Sequence, residues 1–269
     1  MNKIKFNIYC NEKFTCTSAL NQNQLVEWVT DGSGIANFYG NLNALDVITH
    51  YTDKQKYIWL LESREIIPDQ FSYVEQNYEK LLEHCHGIFT CDNALSDKHD
   101  QIYYALSNAV PWVQDRRIHQ KNKLVSMISS NKGWTSGHQK RLQFVEKFRN
   151  QVDFYGRGFN TIDVKEQGLA DYMFSIAVEN ANYDTYFTEK LTDCFACGTV
   201  PVFYGSPRVT DYFNPDGIIW LTDDFDISML TLELYNNMMP AIQDNLQRAI
   251  DLPTAEDFIA MNYFSDLLK

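Results

Sequence analysis

Short apolar stretches of strand length alternate with amphipathic stretches of helix length along most of this chain. That alternation limits its fold more than any other feature, because strands joined through helices run parallel and are covered by those helices. In the first half, residues 3–9, 45–49, 57–61 and 87–90 read as strands, and 71–84 as a helix. In the second half, strands are expected at 124–129, 152–155, 173–178, 200–204 and 218–221. Helices are expected there at 137–150, 188–197 and 241–250. The stretch 110–123 holds Pro111 and a polar run from Asp115, and interrupts the pattern. It predicts one domain over residues 1–112 and another over 113–269. Phe258, Tyr263 and Phe264 then belong to a last helix that packs back across the domains.

Charge separates the two parts further. The whole chain carries a formal net charge of −12, which argues against nucleic-acid and anionic-membrane partners, since both need a positive footprint. Yet nine basic residues lie between Arg116 and Arg149 against a single acid, Glu146. From Asp211 onward eleven acids face only Arg248 and Lys269. An anionic ligand would therefore meet a local basic pocket in a chain that otherwise repels it. Hydrophobic residues at 45% and charged residues at 22% are globular values that exclude wholesale disorder. The first residues lack a basic region followed by an apolar run, and no segment approaches the roughly 18 apolar residues of a membrane span. No asparagine opens an Asn-x-Ser/Thr sequon, and six cysteines are too few for a disulfide scaffold. The expectation is a cytoplasmic chain with reduced thiols and no transmembrane segment.

Residues 174–220 are the most informative. An apolar strand ends in Glu179-Asn180, a loop follows, and Thr188 is placed to cap a helix that opens with Glu189 and Lys190. Unpaired N–H groups and the positive dipole end at such a helix start favour phosphate, and Lys190 adds a full charge. Gly198 ends the helix, and a buried strand at 200–204 leads into the Gly205-Ser206-Pro207 turn. In outline this is a nucleotide-diphosphate site at the carboxyl ends of parallel strands.

The same residues resemble the α1,3-fucosyltransferases of glycosyltransferase family 10. The resemblance rests on Glu179-Asn180, Tyr186, Thr188-Glu189-Lys190, Val200-Pro201-Val202, Gly205-Ser206-Pro207 and Phe213-Asn214-Pro215, in that order. Upstream, Ser129-Ser130-Asn131, Arg141, Tyr155-Gly156-Arg157 and the aromatic strand ending in Glu62-Ser63 are similar to the family's elements, so the likeness runs from Tyr57 to Leu221. It implies an α/β protein in the GT-B arrangement, two Rossmann-like domains facing across a cleft. It implies a GDP-β-L-fucose donor, a glycan acceptor and inverting transfer to an acceptor hydroxyl, with no essential metal and no further cofactor. Glu62 matches the family's proposed base, and Arg141 and Lys190 match its phosphate-binding cations. Asn180, Tyr186 and Glu189 match other donor contacts, and Ser130, Asn131 and Arg157 fall in neighbouring donor-side elements.

Some residues depart from the family. Arg64 stands where proline is usual after Glu-Ser, and Gln139 where many members carry arginine, with Lys140 as a neighbouring substitute. Cys194 and Cys197 lie within the helix after Lys190 and read as packing residues, and His84-Cys85-His86 with Cys91 as a surface cluster. Gly32-Ser33-Gly34 lacks the rest of a dinucleotide or phosphate-loop fingerprint and reads as a turn. Two other function classes stay open at this level. One is a glycosyltransferase with another nucleotide-sugar donor. The other is a non-catalytic sugar-nucleotide or glycan-binding module of the same fold.

Overall fold

The computed structural model describes residues 3–10, 20 and 22–269. Its strands are β1 (Ile4–Tyr9), β2 (Val26–Val29), β3 (Ala36–Gly40), β4 (Gln55–Leu60), β5 (Gly87–Thr90), β6 (Ile102–Tyr104), β7 (Lys123–Ile128), β8 (Asp153–Tyr155), β9 (Tyr172–Val178), β10 (Val200–Tyr204) and β11 (Ile219–Trp220). The α-helices are α1 (Pro68–Leu82), α2 (Asn93–Ser96), α3 (Ser136–Lys147), α4 (Glu166–Leu169), α5 (Glu189–Ala196), α6 (Leu232–Asn237), α7 (Met239–Asp251) and α8 (Ala255–Tyr263). One sheet has the order β2-β1-β3-β4-β5-β6 and the other β11-β10-β9-β7-β8. Every pairing in both is parallel. The chain divides into two compact units. The first holds residues up to Asn108, Asp184–Tyr186 and Pro253–Lys269, and the second holds Ala109–Tyr183 and Phe187–Leu252.

In the first unit one sheet face is aromatic. Phe38 lies 5.0 Å from Phe6 and 5.2 Å from Tyr57 between ring centroids. Phe264 closes this layer at 4.9 Å from Phe6, and Tyr263 stands 5.2 Å from Phe89. Thus α8 covers the face, and Asp257 in its first turn accepts hydrogen bonds from the main-chain N–H of Gln24 (2.6 Å) and Leu25 (2.9 Å) beside β2. Those bonds satisfy groups that an edge strand would otherwise leave open. The opposite face buries Ile58, Leu60 and Ile88 under Phe71 and Val74 of α1.

Of residues 45–49, expected as a strand, 45–48 lie instead in a 3₁₀ helix, Asn41–Ile48, and Thr49 caps its end. Ala44 and Val47 are its buried residues, and their spacing of three brings them to the same side of a three-residue turn. The strands actually present nearby are β2 and β3, which the sequence pattern hides. β3 reads Ala-Asn-Phe-Tyr-Gly, a loop-like composition, but is buried throughout.

The second unit sorts its residues more legibly. Val125, Met127, Phe174, Ile176, Val200 and Val202 build the apolar centre of the sheet, with Phe144 and Phe148 packed from α3 and its end. α5 ends at Gly198, whose φ of +66° is left-handed. Its N–H bonds Phe195 O at 3.0 Å, and that of Thr199 bonds Cys194 O at 2.9 Å. This is a Schellman closure of the kind glycine permits. No helix among the described residues is long and apolar enough to cross a membrane.

Candidate functional site

The order of the second sheet reverses between β7 and β9. From β7 the chain moves outward to β8, then crosses back to β9 and continues to β10 and β11. Parallel sheets open a crevice at the carboxyl ends of such a pair. Here a cavity of about 180 Å³ occupies that position. Ile128 to Ser130 at the end of β7 and Ser175 to Val178 of β9 line it. Arg141 enters from α3, Glu189, Lys190, Asp193 and Cys194 from α5, and Lys165 from the segment before α4.

The start of α5 is built around a buried carboxylate. Thr188 caps the helix, and Glu179, fully buried at the end of β9, accepts from the Thr188 main-chain N–H at 2.8 Å. The Thr188 hydroxyl donates to Glu179 at 2.8 Å and accepts from Lys190 Nζ at 2.9 Å. Lys190 Nζ also stands 3.5 Å from Glu179 Oε2 and 3.5 Å from Glu189 Oε1. Burial alone would lower the Lys190 pKa, but Glu189 and Glu179 outweigh it and hold the ammonium charged. Burial pushes the Glu179 carboxyl upward, with Lys190 opposing. Burial also works against charge on Glu189. Lys165 and Lys190 overcome it and hold that carboxyl at about 2.

Arg141 supplies the second cation. It is 5% exposed, and its Nη2 donates to Ser130 Oγ at 2.9 Å and Ser130 O at 3.3 Å. Its buried Nε donates to no described protein atom. An unmatched buried donor costs roughly 1–3 kcal/mol, a cost that an anionic oxygen in the cavity would offset. α3 is brought close to β9 by Gly137, where any Cβ would meet Glu179 O at 2.1 Å. The next residue, His138, completes a capping box with Thr135. His138 Nδ1 accepts from the Thr135 N–H at 3.4 Å, so Nε2 bears the proton and donates to Asn180 Oδ1 at 3.1 Å.

The expected residues therefore separate into groups. Ser130, Arg141, Glu189 and Lys190 share one cavity, and Asn180 is tied to the first turn of α3. Asn131 and Arg157 are exposed, their main chains joined by a 3.2 Å hydrogen bond from Asn131 N to Arg157 O. Tyr186, 2% exposed, and Glu62, half-buried, belong to the first unit. Glu62 follows β4, where Asn41 Oδ1 accepts from the N–H of Leu61 (2.9 Å) and Glu62 (3.3 Å). Arg64 bonds the buried Asp92 at 2.6 Å and lies over the Phe71 ring. Lys140 is held by Asp223 and lies over the Phe144 ring. Cys194 and Cys197 are buried thiols, and burial pushes the Cys197 pKa up to about 12. Among the described residues no cluster of three or more His, Cys, Asp or Glu is arranged to hold a metal ion.

Sequence reasoning missed Lys165, Asp193 and His138. Lys165 Nζ lies 3.1 Å from Glu189 and 2.5 Å from Asp193, but the lysine is 24 residues before Glu189 in an irregular stretch. No periodicity marks it.

Residues 118–239, which contain this cavity, match the family model "Glycosyltransferase family 10 (fucosyltransferase) C-term". That segment is similar to the family 10 fucosyltransferase domain. The chain is 35% identical over 80 residues to human GDP-fucose protein O-fucosyltransferase 3, covering 30% of this chain and 15% of that protein. It is 35% identical over 66 residues to the alpha-(1,3)-fucosyltransferase FucT of Helicobacter pylori, covering 24% of this chain and 14% of that one. To mouse alpha-(1,3)-fucosyltransferase 4 the identity is 34% over 117 residues, covering 40% of this chain and 26% of that one. These matches thus span about a quarter or less of each relative. Among solved structures, an alpha1,3-fucosyltransferase crystallised with GDP-fucose superposes with a TM-score of 0.55 at 14% identity, over 99% of this chain and 90% of that one. A pneumococcal O-GlcNAc transferase gives 0.51 at 11% identity, over 93% and 58%. The shared feature is the fold, the GT-B class of parallel-sheet α/β units.

Proposed function

We propose that this protein is a fucosyltransferase that moves fucose from GDP-β-L-fucose to a hydroxyl of a glycan acceptor, with inversion at the anomeric carbon. The observation that carries the reading is the convergence of Arg141, Lys190 and Glu189 on one cavity at the switch point of the second sheet, within the segment matched by the family model. Breaking the sugar–phosphate bond leaves negative charge on GDP, and fixed cations at the diphosphate stabilise that charge as it grows. In this reading Arg141 and Lys190 supply it, and the donor needs no metal. Glu189, held ionised, accepts hydrogen bonds from hydroxyls of the ribose or the sugar. Glu62 takes the proton of the attacking acceptor hydroxyl as the new bond forms.

Differential thermal shift against GDP, UDP and a panel of their sugars tests the donor in the presence of EDTA. A ligand that binds only the folded state raises the melting temperature with concentration. GDP and GDP-fucose are expected to stabilise the protein and the UDP-sugars are not. Stabilisation by a UDP-sugar alone would assign another donor. Acceptor-free hydrolysis of GDP-fucose separates an enzyme from a binding module.

A further inference from the structure

The cavity holds a charged side chain to which neither the sequence nor the family resemblance gave a role. Lys165 packs its ammonium 4.4 Å from the centre of the Trp112 ring and bridges Glu189 (3.1 Å) and Asp193 (2.5 Å) on successive turns of α5. Asp193 spends its other oxygen on the main-chain N–H of Trp112 at 2.6 Å and of Val113 at 3.1 Å. The lysine is therefore anchored on a carboxylate that is itself locked, and on Glu189 both lysines, Lys165 and Lys190, fall on Oε1. We propose that Lys165 is a positioning residue that fixes the Glu189 carboxylate, in orientation and charge, for the hydroxyls of the nucleotide-sugar donor. The proposal rests on the donor-site reading above.

The physical reason is the low polarisability of the site. Without a cation at Lys165, Glu189 keeps only Lys190, and Lys190 is shared with Glu179. A lysine already divided between two carboxylates is then asked to serve the diphosphate as well. Lys165 sets a second ammonium on Glu189, so that carboxylate does not depend on Lys190 alone. Around Glu189 the other titratable and polar groups are Lys190 and Asp193 on α5, Thr188 at its cap, Glu179 at the end of β9, and Arg141 from α3. Burial opposes the charge on Glu189, so loss of Lys165 moves its proton uptake upward.

The test is a double-mutant cycle on GDP-fucose affinity, with Lys165→Met, Glu189→Gln and the pair, each checked for an unchanged fold by its melting curve. Lys165→Met is expected to weaken GDP-fucose by roughly tenfold or more, the size of one charge-assisted hydrogen bond. In the Glu189→Gln background the same change should have less than about a twofold effect, because the lysine acts through that carboxylate. Lys165→Arg should restore most of the affinity. Affinity of Lys165→Met should fall as pH drops from 7 to 5, while that of the wild type stays level. Where Lys165→Met does not fold, Lys165→Gln replaces it in the cycle. Additive effects in the cycle, or a level pH profile in the variant, would overturn the proposal alone. Absence of GDP and GDP-fucose binding by the wild-type protein would remove the donor site and this proposal with it.

Discussion

Glu62 and Arg64 show how much one substitution can ask of its neighbours. A carboxylate that follows a buried strand projects from a fixed start, and Asn41 secures that start by accepting both N–H groups there. Arg64, in place of the family's usual proline, restrains the next turn differently, by pairing with buried Asp92 and covering Phe71. If Glu62 is the base, Glu62→Gln keeps the shape and loses the proton acceptor, so fucosyl transfer should fall by ~10² or more. GDP affinity, measured on the same protein, should hardly change. Wild-type transfer rates in this variant would make Glu62 a bystander. Glu189 and Lys190 could be placed from the sequence at the start of a helix capped by Thr188, and Arg141 only from the family resemblance; the structure brings the three to one cavity. Lys165 could not be placed, since its contacts to Glu189 and Asp193 depend on tertiary packing.

Elements explain why the cavity residues hold still. The first turn of α3 is pinned at Gly137 against β9 and closed by the reciprocal Thr135–His138 cap. Burial, then Arg141, lowers His138 from its ordinary 6.5 to about 4. The folded chain thus keeps the imidazole neutral at pH values where the unfolded chain binds a proton. His138 should therefore cost stability as pH falls from 6.5 toward 4, and nothing above 6.5. Gln at this position also suits a capping box. Urea unfolding at pH 7 and pH 5 should show a smaller loss for His138→Gln than for the wild type, and an equal loss would contradict the assignment. The strands flanking the cavity, β7, β9 and β10, were legible because continuous apolar runs mark strands buried on both faces. The 3₁₀ segment at 41–48 was not, because its short apolar run, Leu42, Ala44, Leu45, Val47 and Ile48, also satisfies a three-residue period.

For the molecule as a whole, the sequence placed positive charge where the total is negative, and the second unit brings one of those cations, Arg141, together with Lys165 and Lys190 on one cavity at the turning point of its sheet. The position of the 253–269 segment was partly legible. Its aromatics marked it as a packing helix, and the structure counts it with the first unit, where Phe264 and Tyr263 complete an aromatic layer. The central claim is that Arg141 and Lys190 hold the diphosphate of a GDP-sugar. Calorimetric titration of GDP in EDTA into the wild type, Arg141→Ala and Lys190→Ala tests it most directly. The account predicts binding by the wild type and a loss of about 1.5 to 3 kcal/mol in each variant. Wild-type affinity in both variants, or a wild-type titration that requires a divalent metal, would contradict it.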